Sequence, residues 1–189
     1  MRRVCLAQNL FYPDYYIPSV YHVDYEKLHA LGIRAVLYDI DNTLVEHDAP
    51  ATKQAKALFR EIAAAGLKAA IISNNHEPRV KKLADAVGLA HYVYLAHKPM
   101  ASGYRKACEI LGVRPEEAMF FGDQIFTDIL GARNAKIPCC LVKPIGPELL
   151  LKIKFKRWLE MPLLHAYLRK HSMGAPFLKV DKREIHEIG

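Results

Sequence analysis

The sequence has no apolar run approaching the roughly 18 residues that a membrane-spanning helix requires. Its most apolar window, 62–72, is interrupted by Lys68, and the apolar stretch behind Arg2 and Arg3 breaks at Gln8-Asn9. Neither a spanning helix nor a secretory signal is expected. Cysteine is scarce as well: Cys5, Cys108, Cys139 and Cys140 are the four in 189 residues. They are too few for a disulfide scaffold, and their spacing, with two of them adjacent, fits no zinc pattern. Reduced thiols and a cytoplasmic location are therefore expected. Internal repeats, low-complexity tracts and Gly/Ser linkers are also missing, which excludes a string of tethered modules. A composition of 51% hydrophobic and 25% charged residues, with 10 Gly and 11 Pro, excludes a disordered chain, a collagen and a coiled-coil rod. The length suits one domain with a full core better than two.

Acidic residues are in deficit, 20 against 27 Lys and Arg, for a formal net charge of +7. The imbalance is concentrated at the end, where residues 152–189 hold nine Lys and Arg but four Asp and Glu. Such a segment fits an anionic partner: a phosphate ester, an anionic lipid or a nucleic acid. A basic face in water has the same composition. There is no recognisable RNA-binding motif, so no specific nucleic acid is expected.

Between residues 34 and 143 short apolar segments alternate with amphipathic ones. Strands are expected at 34–40, 67–72, 92–95, 118–121 and 138–142. Helices are expected at 51–65, 77–87, 101–111 and 126–135, and Gly66, Gly88 and Gly112 stop the first three. Five strands separated by helices of one period imply an α/β fold: a doubly wound, Rossmann-like, three-layer α/β/α arrangement around a five-stranded parallel sheet. Residues 1–171 are read as a single domain. It comprises this core at 34–143, an aromatic-rich N-terminal extension at 1–33 with a helix at 24–31, and a basic helical segment at 147–171 interrupted at Pro162. The tail at 172–189 is expected to be mobile.

In such a sheet, ligands bind beyond the C-terminal strand ends, where the strand order reverses. Polar residues gather at those ends: Asp39-Ile-Asp41-Asn42-Thr43, then Ser73-Asn74-Asn75, then His97-Lys98-Pro99, then Gly122-Asp123-Gln124 with Thr127-Asp128 behind it. Asp39, Ser73, Lys98 and Asp123 follow one another at 34, 25 and 25 residues, about one strand–helix unit each. Asp39, Asp41 and Asp123 brought together are costly unless a cation joins them, and hard oxygen ligands suit Mg²⁺. Ser73 and Lys98 can donate to phosphoryl oxygens. One carboxylate can act as nucleophile, and a second, two positions on, can protonate a leaving oxygen. On their own, Asn74 and Asn75 suit the turn after the second strand, and the nine histidines show no ligand spacing.

DxDxT, then Ser, then Lys, then GDxxxxD, in this order on β/α units, resembles the haloacid dehalogenase phosphatase superfamily over residues 34–143. More narrowly, the Pro13-Asp14 lead-in, the Asp-Ile-Asp-Asn-Thr-Leu-Val-Glu strand exit, Ser-Asn-Asn, His-Lys-Pro and Gly-Asp-Gln are similar to the YqeG family of its IIIA type. That family is similar in turn to phosphatidylglycerophosphate phosphatases of phospholipid biosynthesis. The resemblance implies Asp39 as nucleophile and Asp41 as general acid and base. It implies Mg²⁺ held by Asp39, the Asp41 carbonyl and Asp123, with Asp128 supporting the metal from behind. Substrate contacts are implied at Thr43, Ser73, Asn74 and Lys98.

The intervals between motifs leave no room for a large cap domain, so an open site is expected, suited to a phosphate carried on something large. A phosphatase of lipid headgroups is the leading expectation, with peripheral contact at the inner face of an anionic membrane through the basic segment. A phosphatase of soluble nucleotide or sugar phosphates, or a non-catalytic binding protein using its basic surface, fits the same charge pattern.

Overall fold

The computed structural model describes residues 9–147 and 150–179. Cys5, the first eight residues of the 1–33 extension, residues 148–149 and the tail from 180 onward lie outside the described residues. In chain order the described elements are β1 (Tyr15–Ile17), α1 (Tyr25–Ala30), β2 (Ala35–Tyr38), α2 (Lys53–Ala64), β3 (Lys68–Ile72), α3 (Glu77–Val87), β4 (Tyr92–Val93), α4 (Ala101–Leu111), β5 (Ala118–Gly122), α5 (Leu130–Asn134), β6 (Cys139–Val142) and α6 (Leu151–Leu168).

All pairings are parallel, in the order β1-β6-β5-β2-β3-β4. Alternate residues of each strand face opposite helical layers. Val36, Tyr38, Ala69, Ile71, Met119 and Phe121 pack on one side with apolar residues of α1, α2 and α3. Ala35, Leu37, Ala70, Ile72, Ala118 and Phe120 pack on the other with α4 and α5. Both faces are covered, which is why these strands read as unbroken apolar runs. The α/β/α class is as the sequence indicates, with no domain inserted between β2 and β3 or between β3 and β4. After β2 the chain runs outward through β3 to β4, then returns to the opposite side of β2 for β5. The strand order therefore reverses beside the end of β2, where Asp39 stands.

Among the described residues the sheet has six strands rather than five. The extra strand, β1, is three residues long, lies between Pro13 and Pro18, and shows too little alternation to be read from sequence. A buried ion pair holds it: Arg133 Nη2 lies 2.9 Å from Asp14 Oδ1, each side chain being 3% exposed. Asp14 Oδ2 accepts from the Cys139 amide at 2.8 Å, and Arg133 donates to the Tyr12 carbonyl at 2.7 Å. These contacts fix the register Tyr15↔Cys140.

Two more expectations need correction. The 147–171 segment is not interrupted at Pro162, because α6 runs through it. Pro162 is on the exposed side, so water can serve the carbonyl it leaves without an intrahelical partner. The described part of the 172–189 tail is docked. Gly174 donates to Tyr16 O at 2.7 Å, Phe177 O accepts from Asp24, and buried Phe177 meets the Tyr15 ring edge-on at 5.0 Å.

Removing one partner of the Asp14–Arg133 pair strands a buried charge, which costs about 3–5 kcal/mol. Arg133→Ala is therefore expected to lower unfolding stability by that amount in urea denaturation. A loss under about 1 kcal/mol would show that β1 is held by other contacts.

Candidate active site

The exits of β2, β3 and β5 and the loop after β4 turn polar residues toward the strand-order reversal. Asp39 N donates to Phe121 O at 3.0 Å, which continues the β2–β5 ladder one residue past Tyr38 and places the two strand exits side by side. Asp123 follows β5 directly. Asp128 is returned to the same spot by a widened turn: residues Ile125–Ile129 form a π-helical turn before α5, where a regular helix is expected from 126 onward. Such turns recur at functional sites because they re-aim one side chain. Asp128 Oδ2 accepts from the Asp123 and Gln124 amides at 3.1 and 3.0 Å. Gly122 makes this approach possible, since a Cβ there would sit 2.6 Å from the Asp128 carboxylate.

Asp39, Asp123 and Asp128 are all buried, and one oxygen of each lies within 4.8 Å of the others. Lys98, 9% exposed, joins two of them: its ammonium donates to Asp39 Oδ1, and to Asp128 Oδ1 at 2.7 Å. The Asn74 side chain fixes the backbone of Lys98 from both sides, accepting from its amide at 2.7 Å and donating to its carbonyl at 3.2 Å. Burial pushes the Asp39 carboxyl up to about 7, even though Lys98 pulls the other way. Burial likewise raises Asp123 well above the usual carboxylate range, against the pull of Arg157. Burial opposes charge on Lys98, but Asp128 and Asp39 outweigh it and hold the ammonium above the usual lysine range.

The cluster fits a hard divalent cation. Three carboxylates face two cationic side chains, so one negative charge remains. Asp123 Oδ1 is buried with no hydrogen-bond partner among the described residues, an arrangement that is costly unless a cation meets it. Oxygen donors of this kind select Mg²⁺-, Mn²⁺- or Ca²⁺-type ions over softer metals.

Asp41 is placed differently from its partner Asp39. Its carboxylate is outside the buried cluster and accepts from Asn75 Nδ2 at 2.8 Å, from Arg79 Nη2 at 3.2 Å and from the Asp48 amide at 3.1 Å. Three negative side chains do converge, with Asp128 rather than Asp41 as the third. Ser73 Oγ is buried and accepts from the Asn75 amide at 3.1 Å. Thr43 is fully buried outside the cavity lining, and its hydroxyl has no hydrogen-bond partner among the described residues. Asp39, Asp41, Ser73, Asn74 and Lys98 line one cavity of about 180 Å³, together with Asn42, His47, Asn75, Gln124, Thr127, Ile153 and Lys156.

The last two of those residues belong to α6, which forms part of the cavity wall. The same helix sends the Arg157 guanidinium onto the Asp123 carboxylate and carbonyl, and Glu160 Oε1 onto the Phe126 amide at 2.8 Å. Arg157, Arg79 and Asn75 were not readable as site residues. Arg157 looks like one more charge of a basic segment, and only the packing of α6 brings it back 34 positions to Asp123.

Gly122→Ala should drive Asp128 away from the Asp123 and Gln124 amides. Displacing such a supporting carboxylate typically costs about 10–100-fold in metal affinity. Isothermal titration with Mn²⁺ or Mg²⁺ is expected to show that loss in a protein that still melts cooperatively. Unchanged affinity would exclude this cluster as the metal site.

Comparison with known proteins agrees with the geometry. The family model for haloacid dehalogenase-like hydrolases matches residues 47–136. The fold is shared with the cobalt-bound deoxy-D-mannose-octulosonate 8-phosphate phosphatase of Haemophilus influenzae, with a TM-score of 0.51 at 15% identity over 75% of this chain and 91% of that one. The chain is 27% identical over 170 residues to an Arabidopsis thaliana protein named "Phosphatidylglycerophosphate phosphatase 1, chloroplastic/mitochondrial", covering 84% of this chain but 48% of that protein. It is 33% identical over 166 residues to the Bacillus subtilis (strain 168) protein named "Probable phosphatase YqeG", covering 87% of this chain and 96% of that one. On that identity, over nearly the whole of both proteins, the chain belongs to the YqeG family of haloacid dehalogenase-like phosphatases.

Proposed function

We propose that this phosphatase is a Mg²⁺-dependent phosphomonoester hydrolase that works through an aspartyl phosphate, with phosphatidylglycerophosphate as its substrate in phosphatidylglycerol synthesis. The observation that carries the chemistry is the bridge from Lys98 to both Asp39 and Asp128 beside the unpartnered Asp123 oxygen. It supports a reading in which a nucleophile, a fixed positive charge and a cation share one strand-end cluster. The likeness to the Arabidopsis protein supports the lipid substrate.

In this reading Asp39, Asp123 and the Asp41 carbonyl hold Mg²⁺. Asp128, held by two amides, braces both Lys98 and the loop that carries Asp123. The bound cation supplies charge neutralisation for the phosphoryl oxygens. Lys98 balances the negative charge that Asp39 and the phosphate bring together, and Asn74 holds the loop that positions it. Ser73, in the cavity lining, offers its hydroxyl to the phosphoryl group. A carboxylate oxygen of Asp39 attacks phosphorus, the bond from phosphorus to the ester oxygen breaks, and Asp41 gives a proton to that departing oxygen. Asp41, now a carboxylate, takes a proton from water as the water attacks phosphorus. The bond from phosphorus to Asp39 then breaks, leaving inorganic phosphate and the original carboxylate. Arg79 and Asn75 steer the Asp41 side chain.

No helix among the described residues is long and apolar enough to cross a membrane. In this reading the enzyme meets its lipid at the surface of an anionic bilayer from the cytoplasmic side.

Phosphate release from phosphatidylglycerophosphate in mixed micelles, against a panel of nucleotide and sugar phosphates, tests both halves of this proposal. Release is expected to require Mg²⁺ and to be lost in Asp39→Asn. Asp41→Asn should lower kcat by about 10²–10⁴-fold, the usual worth of a positioned acid–base group. Undiminished release from Asp39→Asn would refute the mechanism. A higher kcat/KM on a soluble ester would refute the lipid substrate.

A further inference from the structure

The phosphatase reading uses the inward side of α6 and leaves its outward side without a role. Inward, Glu160 and Tyr167 are buried, and Leu163 and Leu164 pack on the core. Outward, Leu151, Phe155, Trp158 and Leu159 are 81%, 62%, 68% and 44% exposed. Spaced at i, i+4, i+7 and i+8, they form one stripe along the helix, and the Phe155 and Trp158 rings stack at 6.0 Å. A surface helix ordinarily buries its apolar stripe and turns polar residues outward. A contiguous exposed apolar stripe marks an interaction surface.

Charge selects the occupant. Residues 150–171 contain six Lys and Arg and a single carboxylate, Glu160. That carboxylate is buried on the Phe126 amide. Of the six, Arg157 turns onto Asp123 and Lys156 lines the cavity, while exposed Lys154 flanks the stripe and exposed Arg169 and Lys170 lie beyond its end, so the outward surface of α6 is apolar and cationic. Aromatic and leucine side chains flanked by cations suit the boundary of an anionic bilayer, where the rings enter the acyl region and the ammonium groups reach the headgroups. A second copy of the chain is a poor occupant, because a two-fold contact would set these cations against their own copies in a chain of net charge +7. Position adds to the argument, because Ile153 and Lys156 of the same helix line the cavity.

We infer that the outward face of α6, centred on Leu151, Phe155, Trp158 and Leu159, docks the enzyme on an anionic bilayer surface and holds the cavity mouth at the headgroup layer. The orientation toward substrate rests on the phosphatase reading above; the docking itself does not.

The test uses the full chain and vesicles of phosphatidylcholine with or without phosphatidylglycerol. Trp158 is the only tryptophan in the chain, so its emission reports this face alone. Binding to the anionic vesicles, with a blue shift of that emission, is expected, with little binding to the neutral ones. The double variant Leu151→Ser, Phe155→Ser should partition at least about tenfold more weakly by sedimentation, while its hydrolysis of para-nitrophenyl phosphate stays at the wild-type level. Equal binding to both vesicle types, no binding to either, or unchanged binding of the double variant would overturn the inference. So would a lipid-free dimer that the double variant abolishes, because the stripe would then be a contact between copies. Vesicle binding with no phosphate released from the lipid would refute the substrate while leaving the docking surface standing.

Discussion

A buried ammonium shared by two buried carboxylates organises this molecule's chemistry. Lys98 cannot lose its charge cheaply while Asp39 and Asp128 face it, and neither carboxylate can be left alone in that environment. Each is supplied by a different strand exit, so the sheet order, the π-helical turn after β5 and the Asn74 clasp on the Lys98 backbone all serve to bring them together. Burial pushes the Asp39 and Asp123 carboxyls toward their neutral forms. The site is therefore poised to gain from a cation, which would restore their charge and meet the unpartnered Asp123 oxygen.

The C-terminal helix connects this centre to the surface. Through Arg157 and Glu160 it grips the loop that carries Asp123 and the turn that carries Asp128. Through Ile153 and Lys156 it walls the cavity. Its remaining face is apolar and cationic and meets nothing among the described residues. One helix thus touches the acidic cluster with one face and presents the outer surface with the other.

Much of this was legible in the sequence. Strands buried on both faces read as apolar runs, helices end at Gly66, Gly88 and Gly112, and polar residues at regular intervals mark the strand exits. Helices α3 and α4 lie where the periodicity puts them. What was not legible depends on contacts remote in the chain. β1 exists because Asp14 and Arg133 find each other across 119 positions, and no local pattern in Tyr15-Tyr16-Ile17 announces it. The forward position of Asp128 comes from a π-helical turn that the apolar spacing of residues 126–135 does not distinguish from a regular helix. Arg157 has the same local signature as its exposed neighbour Lys154, and only tertiary packing separates them. Family resemblance suggested the roles proposed for Asp39 and Asp41, but not the turning of the Asp41 carboxylate toward Arg79 and Asn75.

The most direct measurement is a crystal structure of the protein soaked with Mn²⁺, located by its anomalous signal. The account predicts a single strong peak bonded to oxygens of Asp39 and Asp123, with Lys98 facing the same cluster. A peak elsewhere, or a cluster in which saturating Mn²⁺ leaves no density between those two carboxylates, would contradict it.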